Sequence, residues 1–438
     1  MSISESNRKR YGRVVTGCVM LGLLLSACSS SPSSSTPSGA SKGGSKAKGT
    51  LTISDWRFLE TGVGPALSRL YKSYADTHPG VTINTVGYPF SSYPSTIETQ
   101  IGAHAGPDIL AFATGTFATV EHAGDLTPIT GLTAAERANL ISANSLGRQR
   151  GKQYGLISTN TIYGFMYNKK LFAAAGISSA PTSFNGFLKD CITIKSRTGK
   201  YGFAARNLVS SSYAWYQDFS GSFLAGYGGA WATRNGKFTV DSPANVEAVS
   251  AFQKVYDSGC MLTDEPASIY RPEFDDGNIA MLFDNSNAAA TYVDAGKAIT
   301  NETLGSAPSP LPTKATGLLN VFLSINKYTH NLPLAQNFMS WLFEPAQQRA
   351  LANVLAPVTI GTNVLPSTAF NDAHPWAPQF YTNVRTARPD AIEGRTYLDA
   401  PFATLLMPYI EKVLQKALTP KAALAQAQAA AVAQFGNV

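Results

Sequence analysis

The chain is short of charge. Asp, Glu, Lys and Arg make up 14% of its 438 residues, against roughly 25% in ordinary globular domains. The excess of positive charge it does carry is not spread over the body. Of a formal net charge of +7, all but one unit comes from Arg8, Lys9, Arg10 and Arg13 set against Glu5, and from Lys42, Lys46 and Lys48 further on. A nucleic-acid partner needs cations concentrated on a folded surface, so nucleic acid is excluded. Histidine is also scarce: His78, His104, His122, His330 and His374 show no metal-ligand spacing such as H-E-x-x-H. There is no G-x-S-x-G elbow and no phosphate-binding loop, and Gly62-Val63-Gly64 lacks the third glycine of a dinucleotide turn. The adjacent acids Asp275-Asp276 read as a solvated pair rather than as the two facing carboxyls of a glycosidase. No catalytic residue, metal site or cofactor is expected.

Of the four cysteines, two stand in an N-terminal leader region. The basic cluster Arg8–Arg13 is followed by an apolar run from Val14 to Ala27, too short for the ~20 residues of a bilayer span. It ends in Leu25-Ser26-Ala27-Cys28, which resembles the lipobox of bacterial lipoproteins. That resemblance implies cleavage after residue 27, a diacylglyceryl group on Cys28, and a body held on the membrane without crossing it. Residues 28–49 are nearly all Ser, Pro, Gly, Ala, Thr and Lys and read as a flexible tether. The expected location is the extracytoplasmic side of the cell membrane. In such an oxidising place the remaining thiols, Cys191 and Cys260, are a candidate disulfide pair.

The body is long enough for two domains. Alternating Leu51–Ser54 predicts a strand that runs into Asp55-Trp56-Arg57, and Leu67, Leu70, Tyr71 and Tyr74 repeat at helical spacing until His78-Pro79-Gly80. Strands at 81–86 and 109–113 flank a helix over 93–103. This strand–helix alternation predicts an α/β domain with a largely parallel sheet. An extended segment at 154–168 follows, then helices at 169–175, 182–196 and 245–258, strands at 279–283 and 318–325, a helix at 334–343, and a C-terminal stretch, 408–435, broken into two helices at Pro420. Ligands in such sheets bind beyond the carboxyl ends of the strands.

Several segments carry a resemblance: Tyr154-Gly155-Leu156-Ile157, Tyr167-Asn168-Lys169-Lys170-Leu171-Phe172, Ala175-Gly176-Ile177 and Pro181-Thr182-Ser183-Phe184, in that order and spacing. His78-Pro79-Gly80-Val81, Gly106-Pro107-Asp108-Ile109 and Gly277-Asn278-Ile279-Ala280-Met281 add to it. The chain resembles extracellular solute-binding protein family 1, the maltose-binding-protein-like components of ABC importers. The resemblance implies an α/β, two-lobe, periplasmic-binding-protein-like (type II) fold with a ligand cleft between the lobes. It places the first lobe at 50–158 plus 284–320 and the second at 159–283 plus 321–438. It also implies a monomer that hands a small carbohydrate to permease subunits and catalyses nothing. Three departures are visible: Phe184 and Asn287 stand where the family often has Trp, and Thr114-Gly115-Thr116 where some sugar binders have a carboxylate.

The candidate ligand-binding residues follow from strand ends and from the resemblance. Trp56 could stack on a sugar face, Arg57 could donate paired hydrogen bonds, and Glu60 could accept from hydroxyls. Phe112 and Thr114 end the third strand. Tyr213, Trp215 and Asp218 fall where the family's second lobe touches ligand. Asn285, Asn287 and Asn320 lie at expected lobe crossings, and Arg395 and Tyr397 complete the set. A carbohydrate is the expected ligand. Arg57 would equally suit a glycerol phosphate or glycerophosphodiester; from other classes, the alternatives are an exported glycan-processing enzyme or a ligand sensor for a membrane partner.

Overall fold

The computed structural model describes residues 47–437, except 61, 62, 91, 357, 385, 390, 391, 393 and 394. The leader, Cys28 and nearly all of the expected tether lie outside the described residues. The tether expectation is one residue too long: Gly49 already pairs with Val81 as the first residue of a strand, and the Lys48 carbonyl accepts a hydrogen bond from Asn331 Nδ2.

The first part of the body follows the predicted alternation. Strand β1 (Gly49–Ser54), helix α1 (Val63–Lys72), β2 (Val81–Val86), α2 (Tyr93–Gly102), β3 (Ile109–Ala113) and α3 (Thr114–His122) succeed one another. β1 lies between β2 and β3, parallel to both. The unbroken apolar run of β3 is buried from Ile109 to Phe112, as a strand covered on both faces requires.

The chain then enters β4 (Gly155–Asn168), a 14-residue strand that is buried along almost all its length. Later elements are α4 (Phe184–Thr198), β5 (Tyr201–Ala204), α5 (Ser212–Phe219), α6 (Pro243–Asp257), β6 (Met261–Leu262), β7 (Ile279–Asn285), α7 (Ser286–Ala295), β8 (Leu304–Ala307), β9 (Gly317–Asn326), α8 (Leu332–Leu342), α9 (Asp399–Leu414) and α10 (Pro420–Phe435). The sheet runs in the order β2-β1-β3-β9-β4-β7-β5-β6. β4 links its two ends. Its first half pairs antiparallel with β9, and its second half pairs with β7 and β8. β9 likewise pairs with β3 through Val321–Ile325, and its register with β4 shifts at Val321/Phe322, where β4 carries the extra residue Ser158.

Three hydrophobic cores form around this sheet. One collects residues 51–157 and 321–360. Two others pack on opposite faces of β4, β7 and β5: Phe165, Phe203 and Phe283 point into one of them, Met166, Ala204 and Leu282 into the other. This grouping differs from the expected lobe assignment. Residues 284–320 supply Ala288, Ala289, Tyr292, Ile299, Leu304 and Leu311 to the cores built on 165–283. Residues 321–360 join the N-terminal core instead. The physical reason is that α7 folds back onto its own strand, so the chain does not cross at Asp284.

One helix also departs from expectation. α9 begins at Asp399 and carries Pro408 in its interior. Phe402, Leu406, Met407, Ile410 and Val413 are all fully buried on one core, and that packing offsets the backbone bond lost at Pro408. Pro420 opens α10, where its missing N–H costs nothing.

Candidate functional site

The carboxyl ends of β1 and β3 and the middle of β4 meet where the N-terminal core faces the other two. Asp55 accepts from the Arg57 backbone N–H and starts a short 3₁₀ turn, Trp56–Leu59. That turn directs Trp56 into an aromatic group, edge-on to Tyr93 with centroids 5.1 Å apart and tilted on Phe90 at 5.4 Å. Phe90 is 54% exposed and Leu59 58% exposed. These two apolar side chains at strand ends were not among the sequence candidates. Trp56 itself is buried, and Phe90 presents the accessible ring.

Arg57 is 1% exposed and turned inward. Its Nε donates to Asp55 Oδ1 at 2.9 Å, one terminal nitrogen donates to Thr159 Oγ1 at 3.0 Å, and the other donates to Asp55 and to Ser158 Oγ. Burial alone would lower its pKa, but the charge and hydrogen bond of Asp55 carry it above the ordinary guanidinium value. Arg57 therefore ties the end of β1 to β4. Glu60 is half-buried; burial raises its carboxyl above the usual range, which Arg57 opposes and Asp55 reinforces. Phe112 is wholly buried in the core.

Thr114 opens α3, with its Oγ1 buried and without a partner among the described residues. Next to it, a methyl added at Gly115 would lie 2.6 Å from the Tyr213 hydroxyl and 3.6 Å from Asp399 Cβ. Glycine is thus required for α3 to approach α5 and α9. At the other end of α3, His122 stacks on Tyr397, with centroids 4.4 Å apart and planes 8° from parallel.

On the far side, Trp215 is fully buried on α5, and its Nε1 has no partner among the described residues. It lines a small cavity with Arg206, Asp218, Tyr270 and Phe283. Asp218 accepts from Tyr163 at 2.7 Å and from Arg206 Nε at 2.6 Å. Burial works against the Arg206 charge, yet Asp218 holds its pKa above the usual value. Tyr163, Arg206 and Tyr270 were missed; only Arg206, two residues beyond β5, had the strand-end signal that could have found it.

Between these groups runs the β4–β9 pair. Asn320 is opposite Asn160 in register. Both are 1% exposed, and Asn160 Oδ1 and both amide atoms of Asn320 lack partners among the described residues. The remaining candidates have other engagements. Asn285 caps α7, accepting from the Ala288 N–H at 3.1 Å, and Asn287 is half-buried one residue into the helix. The Asp284 beside them holds Arg271 through two bonds of 2.8 Å. Arg395 donates to the carbonyls of Phe435 and Gly436, where a cation suits the carboxyl end of α10.

Away from the junction, Cys191 on α4 and Cys260 before β6 are joined as a disulfide with Cα atoms 5.6 Å apart. Among the described residues no group of His, Cys, Asp and Glu could hold a metal ion. No helix there is long and apolar enough to cross a membrane.

Binding proteins of known structure share this fold. The cyclic α-maltosyl-1,6-maltose binding protein of Arthrobacter globiformis superposes with a TM-score of 0.76 at 21% identity, covering 89% of this chain and 99% of its own. The GacH receptor of Streptomyces glaucescens, solved with acarbose, gives 0.74 at 23% identity over 88% and 98%. A substrate-binding protein of an ABC transporter from Listeria monocytogenes, in complex with cycloalternan, gives 0.72 at 20% identity over 89% and 100%. The fold is thus the two-lobe periplasmic-binding type. Among curated sequences, relatives in Brucella abortus and Brucella suis described as binding proteins are 25% identical over 229 residues, 50% of this chain. That match spans about half (54%) of the relatives' own length. The profile of the bacterial extracellular solute-binding proteins matches residues 59–349, and the chain belongs to that family.

Proposed function

We propose that the protein is the substrate-binding lipoprotein of an ABC importer. It captures a mono- or oligosaccharide between its lobes and delivers it to the permease, as a monomer held to the cell membrane by a lipid on Cys28, without catalysis. The supporting observation is the state of the polar groups at the junction. Thr114 Oγ1, Asn160 Oδ1, the Asn320 amide and Trp215 Nε1 are buried without partners among the described residues. Buried polar atoms are otherwise nearly always bonded, and each one left alone costs about 1–3 kcal/mol. Hydroxyl groups of a sugar both donate and accept, so they match this mixed set, and the Phe90 ring at the rim offers a face for the apolar side of a pyranose.

Charge pairing argues against the phosphate-ester alternative. Arg57, Arg206 and Arg271 are each held by a carboxylate: Asp55, Asp218 and Asp284. A phosphate would meet arginines already neutralised. The oligosaccharides in the similar structures agree with a neutral ligand. In this reading the lobes are 49–158 with 321–364 and 159–320 with 370–437, hinged at β4, β9 and the segment near Thr359. A ligand touching both lobes favours the closed arrangement.

A thermal-shift screen with maltose, linear and cyclic maltooligosaccharides, glycerol 3-phosphate and glycerophosphodiesters tests this reading. A ligand at a hundredfold excess over its Kd adds about 2.7 kcal/mol. A shift with a neutral sugar is expected. A shift with phosphate esters alone, or sugar products accumulating over hours, overturns the proposal.

A further inference from the structure

We propose that the N-terminal lobe carries a second binding site, outside the cleft, for an anionic amphiphile: a carboxylate or phosphate group on an apolar body. A concavity of about 590 Å³ lies between the segment 128–132, the segment 137–145 and the hairpin 148–153. That volume is in the range of small-molecule sites, ~300–1,000 Å³. None of its lining residues belongs to the strand ends of the cleft.

Its chemistry is one-sided. Ile129 and Leu132, both buried, and half-buried Leu140 supply an apolar floor. Arg137, Arg148 and Lys152 stand exposed around it. None of the three has an ion pair or a side-chain hydrogen bond among the described residues, and no Asp or Glu lines the concavity. The acids nearby are engaged elsewhere: Glu121 pairs with Arg150, and Glu136 accepts from the Thr133 N–H and the Ser340 hydroxyl. The cleft behaves differently, since each arginine there has its own carboxylate.

A tight hairpin borders the concavity. Arg148–Gln149 pairs with Lys152–Gln153, and the turn is closed by Arg150 and Gly151 with φ of 49° and 76°, the left-handed pair that a two-residue hairpin loop uses. Arg148 and Lys152, one from each strand of the hairpin, both line the concavity together with Arg137. Three like charges over a low-dielectric floor repel one another, and an anion relieves that repulsion. The floor adds affinity for whatever apolar group the anion carries. The shared chemistry fits a soluble amphiphile or a lipid headgroup with the start of its chain.

Titration calorimetry with the full chain tests the site. The probes are octyl phosphate, octyl glucoside and inorganic phosphate, and dihexanoyl phosphatidylglycerol against dihexanoyl phosphatidylcholine, all kept monomeric. Octyl phosphate is expected to bind at least tenfold more tightly than octyl glucoside or inorganic phosphate. The triple variant R137Q/R148Q/K152Q is expected to lose about tenfold in affinity for it, each exposed charge contributing a small share. The same variant should keep the wild-type melting temperature and any sugar-induced shift, which separates this site from the cleft. Tighter binding of dihexanoyl phosphatidylglycerol than of octyl phosphate supports the site and assigns it to a headgroup; the reverse order supports it and assigns a soluble ligand. No octyl phosphate binding at millimolar concentration, or equal binding by the triple variant, overturns it.

Discussion

Asn320 on β9 faces Asn160 on β4, and neither amide is fully hydrogen-bonded among the described residues. A leucine of similar shape at residue 320 removes two buried orphan atoms. The Asn320→Leu variant should therefore be as stable as the parent, or more stable by about 1–2 kcal/mol, while its sugar-induced thermal shift collapses. Urea unfolding and the thermal-shift screen read the two effects separately. Unchanged sugar binding would remove Asn320 from the site; a large loss of stability would mean that its amide is bonded inside the protein.

Arg57 and Asp55 form a buried pair whose value lies in not being broken. Arg57→Ala strands the Asp55 carboxylate and should cost about 3–5 kcal/mol. The double variant Asp55→Asn, Arg57→Leu should recover much of that loss, because both charges leave together. Denaturant midpoints of the three proteins decide it. A cost below about 1 kcal/mol for the single variant contradicts a structural role and returns Arg57 to the ligand.

The same arginine shows why some of the site was legible in the sequence and some was not. The strand-end rule pointed to Asp55-Trp56-Arg57, and the structure places these residues at the carboxyl end of β1. It could not show that Arg57 would turn inward, because Ser158 and Thr159 lie about a hundred residues further along the chain. Local signals worked where local physics dominates. Strands 81–86 and 109–113 were bounded by Pro and Gly and came out as read. The helix 399–414 was misread because its Pro408 is tolerated only through packing that no local pattern contains. The core that residues 284–320 join was hidden for a similar reason, since it depends on α7 packing back on β4 and β7.

The Cys191–Cys260 bridge spans a sequence separation of 69 residues. Loop-closure entropy for such a length gives about 4 kcal/mol. The double variant Cys191→Ala, Cys260→Ala should lower stability by roughly 2–4 kcal/mol in urea, with sugar affinity intact because both residues are buried within the core and neither is a candidate site residue. A difference within about 0.5 kcal/mol would show that the thiols are not bridged in the purified protein.

Burial raises the Glu60 carboxyl above the usual range. The folded state then holds the Glu60 proton more tightly than the unfolded state does. Stability from this group is full below the unfolded value of 4.5 and is lost as pH rises through the raised value. Glu60→Gln removes that slope. Parent and variant should therefore be most alike at acid pH, with the variant gaining relative stability as pH rises above about 4.5. A gap that is constant from pH 4 to pH 8 contradicts the shift.

In the proposed lobe arrangement the stacked pair His122–Tyr397 joins the two lobes. Tyr397 belongs to the short turn Thr396–Leu398 ahead of α9, and His122 closes α3. If the lobes separate when the cleft opens, this pair exists only in the closed arrangement, and it then contributes to every ligand that requires closure. Aromatic pairs are worth about 0.5–1.5 kcal/mol beyond area. Tyr397→Ala should accordingly weaken sugar binding roughly 2- to 10-fold, and X-ray scattering should show a larger radius of gyration for the free variant than for the free parent. Saturating sugar should bring the two radii together, since the ligand supplies the missing closure energy. Equal radii together with equal affinities would mean that the stacking pair does not report on closure, and that the hinge moves about an axis that leaves α3 and the Tyr397 turn in contact.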